Sequence, residues 1–260
     1  MEDKVEDKEV IISVKNFTAA YGANVIIDNI TFDVYRGEIF IILGGSGCGK
    51  STLLKHMIGL FPPANGQILI MGHNIASAEG TDKNKILKKI GVSYQSGALF
   101  GSMTVLENVM LLMEEYTDIS RDMRELIAKM KLEIVGLGGS ENKLPSELSG
   151  GMIKRAALAR AMTLDPEILF LDEPSAGLDP VTSAELDQLI INLAKNLGIT
   201  FVIVTHELAS IYTIADRVIM LDKRVKKIVA TGNPQYLRDT SKDPWVKQFF
   251  NREAEVQLEN

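Results

Sequence analysis

An α/β fold is predicted for this 260-residue chain, with a parallel sheet core, an antiparallel β subdomain and an inserted α-helical lobe. Three observations predict it. Short, continuously apolar runs end in glycines, acids or a histidine; helix-spaced segments separate them; and two longer runs near the start alternate apolar with polar residues. Strands buried on both faces read as unbroken apolar runs, half-buried antiparallel strands alternate, and strand–helix alternation winds a parallel sheet through right-handed crossovers.

In chain order, "EVIISVKNFTAAYG" and "IIDNITFDVYRGE" are the alternating strands. "IFIILGG" is the first buried strand, followed by the helical pattern "KSTLLKHMIGL"; "ILFLDE", "TFVIVTH" and "RVIMLD" are three more. Between the second and third of these four runs, Leu186, Leu189, Ile190 and Leu193 recur at helical spacing, and Gly198 suits the C-terminal cap. Residues from about 97 to 164 are mainly helical in pattern and form a lobe inserted in one unit, residues 1–239. Residues 240–260 form an appended tail, in which Trp245, Phe249 and Phe250 are too apolar for a free end and are expected to dock on the chain or on a second copy.

Bulk properties exclude several classes. The net charge of −6 argues against a nucleic-acid-binding surface. No apolar run approaches the roughly 18–20 residues that cross a bilayer, and the charged start "MEDKVEDKEV" lacks the apolar core of a secretion signal. The single cysteine, Cys48, excludes an internal disulfide and fits a reducing cytosol. A soluble intracellular protein is expected, reaching any membrane through a partner.

"GGSGCGKS" fits G-x-x-x-x-G-K-S/T, with Gly44, Gly49, Lys50 and Ser51 at the fixed positions, between a buried strand and a helix. Glycines let successive N–H groups face a β-phosphate, the lysine reaches the β- and γ-phosphates, and the serine hydroxyl ligates Mg²⁺. Cys48 reads first as a tolerated side chain at a free position. The alternative is a thiolate favoured by Lys50 and the helix N-terminus, in which case alkylation blocks nucleotide binding.

"ILFLDEP" supplies the other half of a hydrolytic site. Asp172 ends its strand at the edge where α/β folds bind ligands and can hold the Mg²⁺ shell; Glu173 can polarise the attacking water. Gln95 follows a short apolar strand and can touch metal or water, His206 can bond a γ-phosphate oxygen, and Tyr21 can stack on adenine. A second anion grip lies about a hundred residues downstream of the loop: in "LSGGM", Ser149 can cap a helix whose first residues are Gly150 and Gly151.

In this order, the motifs resemble those of the nucleotide-binding subunit of ABC transporters, from about Val10 to Leu237. "AAYGAN" is similar to the adenine-stacking loop, "GGSGCGKS" to Walker A, "YQSGALF" to the Q-loop, and "LSGGM" to the signature. "ILFLDE" is similar to Walker B with its catalytic glutamate, "SAGLD" to the D-loop with Asp179, and "VTHE" to the switch histidine. The resemblance implies a P-loop, RecA-like ATPase with ATP and Mg²⁺. It implies nucleotide contacts from Tyr21, the run Gly44, Gly45, Ser46, Gly47, Cys48, Gly49, Lys50, Ser51 and Thr52, and Asp179. Metal contacts would come from Ser51, Gln95 and Asp172, and catalysis from Glu173, His206 and Gln95. It further implies a head-to-tail homodimer in which Ser149, Gly150 and Gly151 grip ATP held by the second copy. Met152 departs from the family's usual glutamine, which leaves the phosphate contacts in place and narrows the subfamily.

"SGALFGSMTVLENV", "EPSAGLDPVTSAELDQLI" and the ending with Asp243-Pro244 and Gln248-Phe249 look like the ATPase of MCE-type (Mla) lipid transporters. That likeness implies an integral membrane permease, an MCE-domain lipid-binding protein, a STAS-like regulator, a phospholipid cargo and a place at the cytoplasmic face of the inner membrane. ATPases of this family for other cargo, such as amino acids, and non-transport members are the alternatives. Non-transport members usually carry two cassettes or a long coiled-coil insertion, and this chain has neither. Leu99, Phe100, Met103, Leu106, Met110, Leu111 and Met113 form an apolar set near the Q-loop, read as lobe core or as a groove for a permease helix.

Overall fold

Two long antiparallel strands open the structure, β1 (Val10–Tyr21) and β2 (Asn24–Tyr35). The period-two pattern of β1 slips at Asn16, whose backbone takes φ 49. The register against β2 shifts between Val14 and Phe17, so both side chains stay buried despite their odd spacing. The computed structural model describes residues 8–252; residues 1–7 and 253–260, with the charged start and the end of the tail, lie outside the described residues.

The order continues with β3 (Ile39–Gly44), α1 (Lys50–Met57), β4 (Asn65–Ile70), β5 (His73–Asn74), α2 (Gly80–Lys88) and β6 (Ile90–Ser93). The helical insertion follows: α3 (Val105–Tyr116), α4 (Arg121–Ile134) and α5 (Gly150–Ala161). The chain then returns through β7 (Ile168–Asp172), α6 (Pro180–Leu197), β8 (Thr200–Val204), α7 (Leu208–Ile214), β9 (Arg217–Asp222), β10 (Lys227–Gly232), α8 (Pro234–Thr240) and α9 (Pro244–Asn251). One sheet has the order β2-β1-β4-β5 and is antiparallel. The other has the order β10-β9-β3-β8-β7-β6 and is parallel except for β10.

The parallel sheet divides two cores by simple alternation. Ile39, Ile41 and Leu43 of β3 face the helical side with Leu169, Leu171, Phe201 and Ile203. Phe40 and Ile42 face the antiparallel subdomain with Ile168, Phe170, Val202 and Val204. All six residues of β3 and all five of β8 are buried, as a strand covered on both faces requires.

Side-chain caps start the lobe helices: Thr104 and Glu107 form a capping box for α3, and Ser120 caps α4. The buried face of α3 carries Val105, Val109 and Met113, spaced four apart, and the polar Asn108. Of the apolar set expected here, Met113 alone is buried, Leu99, Leu106 and Met110 lie half-buried at the core's edge, and Phe100 is 53% exposed. The set therefore splits between the two readings.

In α9, the Asp243 carboxylate caps the helix by accepting from the Trp245 N–H, and Val246 and Phe250 are buried in the helical-side core of their own chain. The Tyr212 hydroxyl donates to the Phe250 carbonyl at 2.9 Å. Phe250→Ala should lower the unfolding free energy by about 3–5 kcal/mol, read from the urea midpoint at unchanged slope; a change below about 1 kcal/mol would contradict the packing of α9.

Candidate nucleotide site

Three buried strands end at one edge of the parallel sheet, and each delivers a polar group there. β3 runs into the glycine loop and α1. Gly49, the residue before α1, has φ 102, a conformation open to glycine and strained for other residues. Gly44 has no room for a side chain, since a Cβ would lie 2.4 Å from the Leu221 carbonyl oxygen. The Lys50 ammonium donates to the carbonyls of Gly44 at 2.8 Å and Gly45 at 3.2 Å, which holds it at the mouth of the loop.

β7 ends at Asp172, whose carboxylate accepts from the Ser51 hydroxyl at 3.3 Å. Asp172 lies opposite Val204 in the register, so β7 and β8 leave the sheet side by side. The strand stops there because Glu173 turns to φ 47, with its N–H donating to the Val204 carbonyl at 2.8 Å. That turn brings Glu173 Oε1 within 2.7 Å of His206 Nδ1. The Glu173 side chain is 13% exposed and that of His206 67%, so the histidine covers the carboxylate from the solvent side.

A cleft of about 720 Å³ is lined by Gly44 to Gly47, Gly49 to Thr52, Gln95, Glu173, His206, Ile26 and Phe249; Asp172 stands outside that lining and meets it through Ser51. Burial pushes the Asp172 carboxyl above its ordinary range and the neighbouring Glu173 adds to that, against the Ser51 hydroxyl and Lys55 and Lys50. A carboxylate raised in this way gains by holding a cation. Ser51, Asp172 and Gln95 offer oxygen donors, the set a hard ion such as Mg²⁺ takes. Among the described residues no group of three or more His, Cys, Asp or Glu side chains could cage a metal ion. An ion here would complete its shell with water and substrate phosphates.

Several expected residues lie elsewhere. Tyr21 ends β1 at 53% exposure and does not line the cleft. The Asp179 carboxylate accepts from the N–H groups of Val181 at 3.0 Å and Thr182 at 3.1 Å, capping α6. Ser149 caps α5, accepting from the Met152 N–H at 3.3 Å, and it and Gly150 are exposed outside the cleft. Gly151 is buried for a steric reason, since a Cβ would meet the Thr182 methyl at 2.5 Å.

The thiolate reading of Cys48 is overturned. Its side chain is 2% exposed and packs in the core with Leu53 and Leu54, where burial pushes the thiol up more strongly than Lys50 draws it down. Two lining residues escaped the sequence reading, Ile26 and Phe249. The aromatic cluster of the tail signalled docking, on the chain or on a second copy, without saying that it forms a helix or where it lands. Trp245 of that helix sits over the loop, its ring 3.3 Å from the position of a Cβ on Gly45, beneath the Arg224 guanidinium.

A parallel sheet with a lysine-bearing glycine loop, a strand-end aspartate beside the loop serine and a glutamate–histidine pair defines a P-loop ATPase. The family model described as ABC transporter matches residues 27–176. The chain is 43% identical over 242 residues to the "probable ribonucleotide transport ATP-binding protein mkl" of Mycobacterium leprae, covering 93% of this chain and 69% of that protein. It is 41% identical over 241 residues to the "intermembrane phospholipid transport system ATP-binding protein MlaF" of Escherichia coli, covering 93% and 88%. Among solved structures, cbiO1 of Clostridium perfringens aligns with TM-score 0.81 at 28% identity over 96% of each chain. The dimeric ATP-binding cassette MJ0796 bound to ADP and Pi aligns with TM-score 0.77 at 30% identity, over 85% of this chain and 98% of that one. The chain belongs to the ATP-binding subunits of ABC transporters, enzymes that hydrolyse ATP with Mg²⁺.

The burial of Cys48 predicts slow alkylation. Native protein should react with a maleimide at least about tenfold more slowly than protein unfolded in urea, at pH 7 and at pH 8.5, because a raised thiol pKa keeps the reactive anion scarce across that range. Equal rates would contradict the inward placement of the thiol.

Proposed function

We propose that this subunit powers phospholipid transport as a head-to-tail homodimer on the cytoplasmic face of the inner membrane. It would act with an integral membrane permease, an MCE-domain lipid-binding protein and a STAS-like regulator. The observation that carries the hydrolytic part is the pairing of Glu173 with His206 across the cleft from Lys50 and Ser51. In this reading, N–H groups of the loop from Gly44 to Gly49 and the Lys50 ammonium hold the β- and γ-phosphates. Ser51, Asp172 and Gln95 hold Mg²⁺, which neutralises phosphate charge when bound. Glu173 orients and polarises the attacking water, and His206 holds the carboxylate and bonds a γ-phosphate oxygen.

The second half of the site comes from another copy. Ser149 and Gly150 present a capped, exposed helix N-terminus that their own cleft does not use. Such an end favours an anion through its unpaired N–H groups and the helix dipole. Two copies arranged head to tail would each cap the other's γ-phosphate, with Tyr21 stacking on adenine and Asp179 fixing the start of α6 beside the seam. Among the described residues no helix is long and apolar enough to cross a membrane, in keeping with a permease that supplies the membrane path.

The lipid reading is supported by the 88% coverage of the E. coli MlaF protein and by the motif-flanking segments and ending described above. A ribonucleotide cargo is the second reading, favoured by the name of the mycobacterial relatives. Purification from membranes with the bound permease, followed by extraction, should yield phospholipid; recovery of ribonucleotide with no lipid would overturn the cargo. Glu173→Gln should leave ATP binding intact and lower turnover by about 10²–10⁴-fold, whereas Lys50→Ala should weaken binding itself. Turnover by Glu173→Gln close to the unsubstituted protein would remove Glu173 from the chemistry.

A further inference from the structure

Lys154 is the one buried lysine among the described residues, at 9% exposure. It lies in the first half of α5, the helix capped by Ser149, and points inward among Leu158, Leu171, Pro174 and Leu186, with Ser93 as the one polar neighbour in that small cavity. A methionine or leucine would suit these neighbours, and a lysine there must have its charge compensated. Its ammonium donates to two main-chain carbonyls, those of Gln95 and, at 3.3 Å, Glu173. Burial draws its pKa down, and the carboxylates of Glu173 and Asp172 work against that.

These two acceptors belong to the segments that carry the cleft's water- and metal-facing groups. The Gln95 segment is fastened to α5 at its other end as well, where the Arg160 guanidinium donates to the carbonyls of Gly97 at 2.9 Å and Ala98 at 2.7 Å. Gly97 approaches Ile153 so closely that a Cβ would lie 2.8 Å from its methyl carbon. Residues 95–98 are therefore tied to α5 at both ends. Lys154 extends that fastening to the hydrolytic carboxylate. Glu173 holds a left-handed backbone that a glutamate seldom adopts, φ 47. Val204 accepts from its N–H on one side, and Lys154 donates to its carbonyl on the other. With both flanking peptide groups held, only side-chain torsions remain to move the carboxylate.

We propose that Lys154 is a positioning residue for ATP hydrolysis, setting the placement of Gln95 and Glu173 over the phosphate loop from the helix that begins at Ser149. The inference rests on the roles given above to Glu173 and Gln95. It adds a consequence for the dimer: when Ser149 engages nucleotide on a second copy, displacement of α5 is passed to the water-polarising groups of its own cleft through one side chain. Both half-sites of a chain are then mechanically linked.

The test compares Lys154→Met and Lys154→Arg in the full chain. Lys154→Met keeps the length and loses both donors; kcat should fall roughly 10- to 100-fold, since misplacement of about an ångström costs that much. The ATP concentration at half-saturation should stay within about twofold, because the loop and Lys50 are untouched. Lys154→Arg, which can still donate to two carbonyls, should recover most of the turnover. Placed in a Glu173→Gln chain, Lys154→Met should add a smaller loss than it causes alone, since the part passed through Glu173 is already gone. Unchanged kcat in Lys154→Met, or a parallel loss of affinity and turnover that arginine does not rescue, would overturn the proposal. If Lys154→Met does not fold, Lys154→Leu, which also lacks donors, takes its place, with the same outcomes deciding. Failure of the underlying reading looks different: Glu173→Gln alone would then turn over ATP normally.

Discussion

Burial of the central strands on both faces is the constraint from which the site follows. β3, β7 and β8 have no solvent-facing side along their length, so their chemistry must be at their ends. Parallel pairing brings those ends to one edge in register, with Asp172 opposite Val204 and β3 beside β8. The glycine loop, Glu173 and His206 thus share a cleft as a consequence of strand direction, with Asp172 bonded to the loop's Ser51. The turn at Glu173 completes the arrangement. A residue that continued as strand would have kept the alternation and carried the carboxylate away from the histidine.

In the proposed dimer α5 would serve two sites at once, through different stretches of its length. Its first residues leave an exposed N-terminus capped by Ser149, while Gly151 lets the helix press against the start of α6. Further along, Lys154 and Arg160 turn inward to the backbone of the Gln95 segment. Charged groups inside a helix–sheet interface cost stability unless hydrogen bonds compensate them, and here each of the two side chains donates to two main-chain carbonyls. The same helix therefore faces outward with its dipole and inward with its cations. The C-terminal helix adds a third restraint, since Trp245 covers Gly45 and Phe249 closes one wall of the cleft.

Much of this was legible in the amino-acid order. Continuous apolar runs located β3, β7, β8 and β9, and the spacing of Gly44, Gly49, Lys50 and Ser51 located the loop. What escaped depended on direction in space. Cys48 sits between glycines, and nothing in its neighbours tells that its side chain turns into the core; only the curl of the loop does. α5 is alanine-rich and buried on most of its circumference, so no periodicity marks Lys154 as inward. The bulge at Asn16 breaks the period-two pattern and the two-residue strand β5 underfills it. Phe249 reads as an apolar residue in a tail until α9 folds back over the loop.

The central claim is that one chain carries two half-sites, a cleft lacking its cap and a cap lacking its nucleotide. ATP turnover per chain, measured across dilution with sedimentation recorded at the same protein concentrations and saturating Mg-ATP, tests it most directly. Turnover should rise with concentration in step with two-chain particles and vanish where single chains prevail. Full, concentration-independent turnover by particles that sediment strictly as single chains would contradict it.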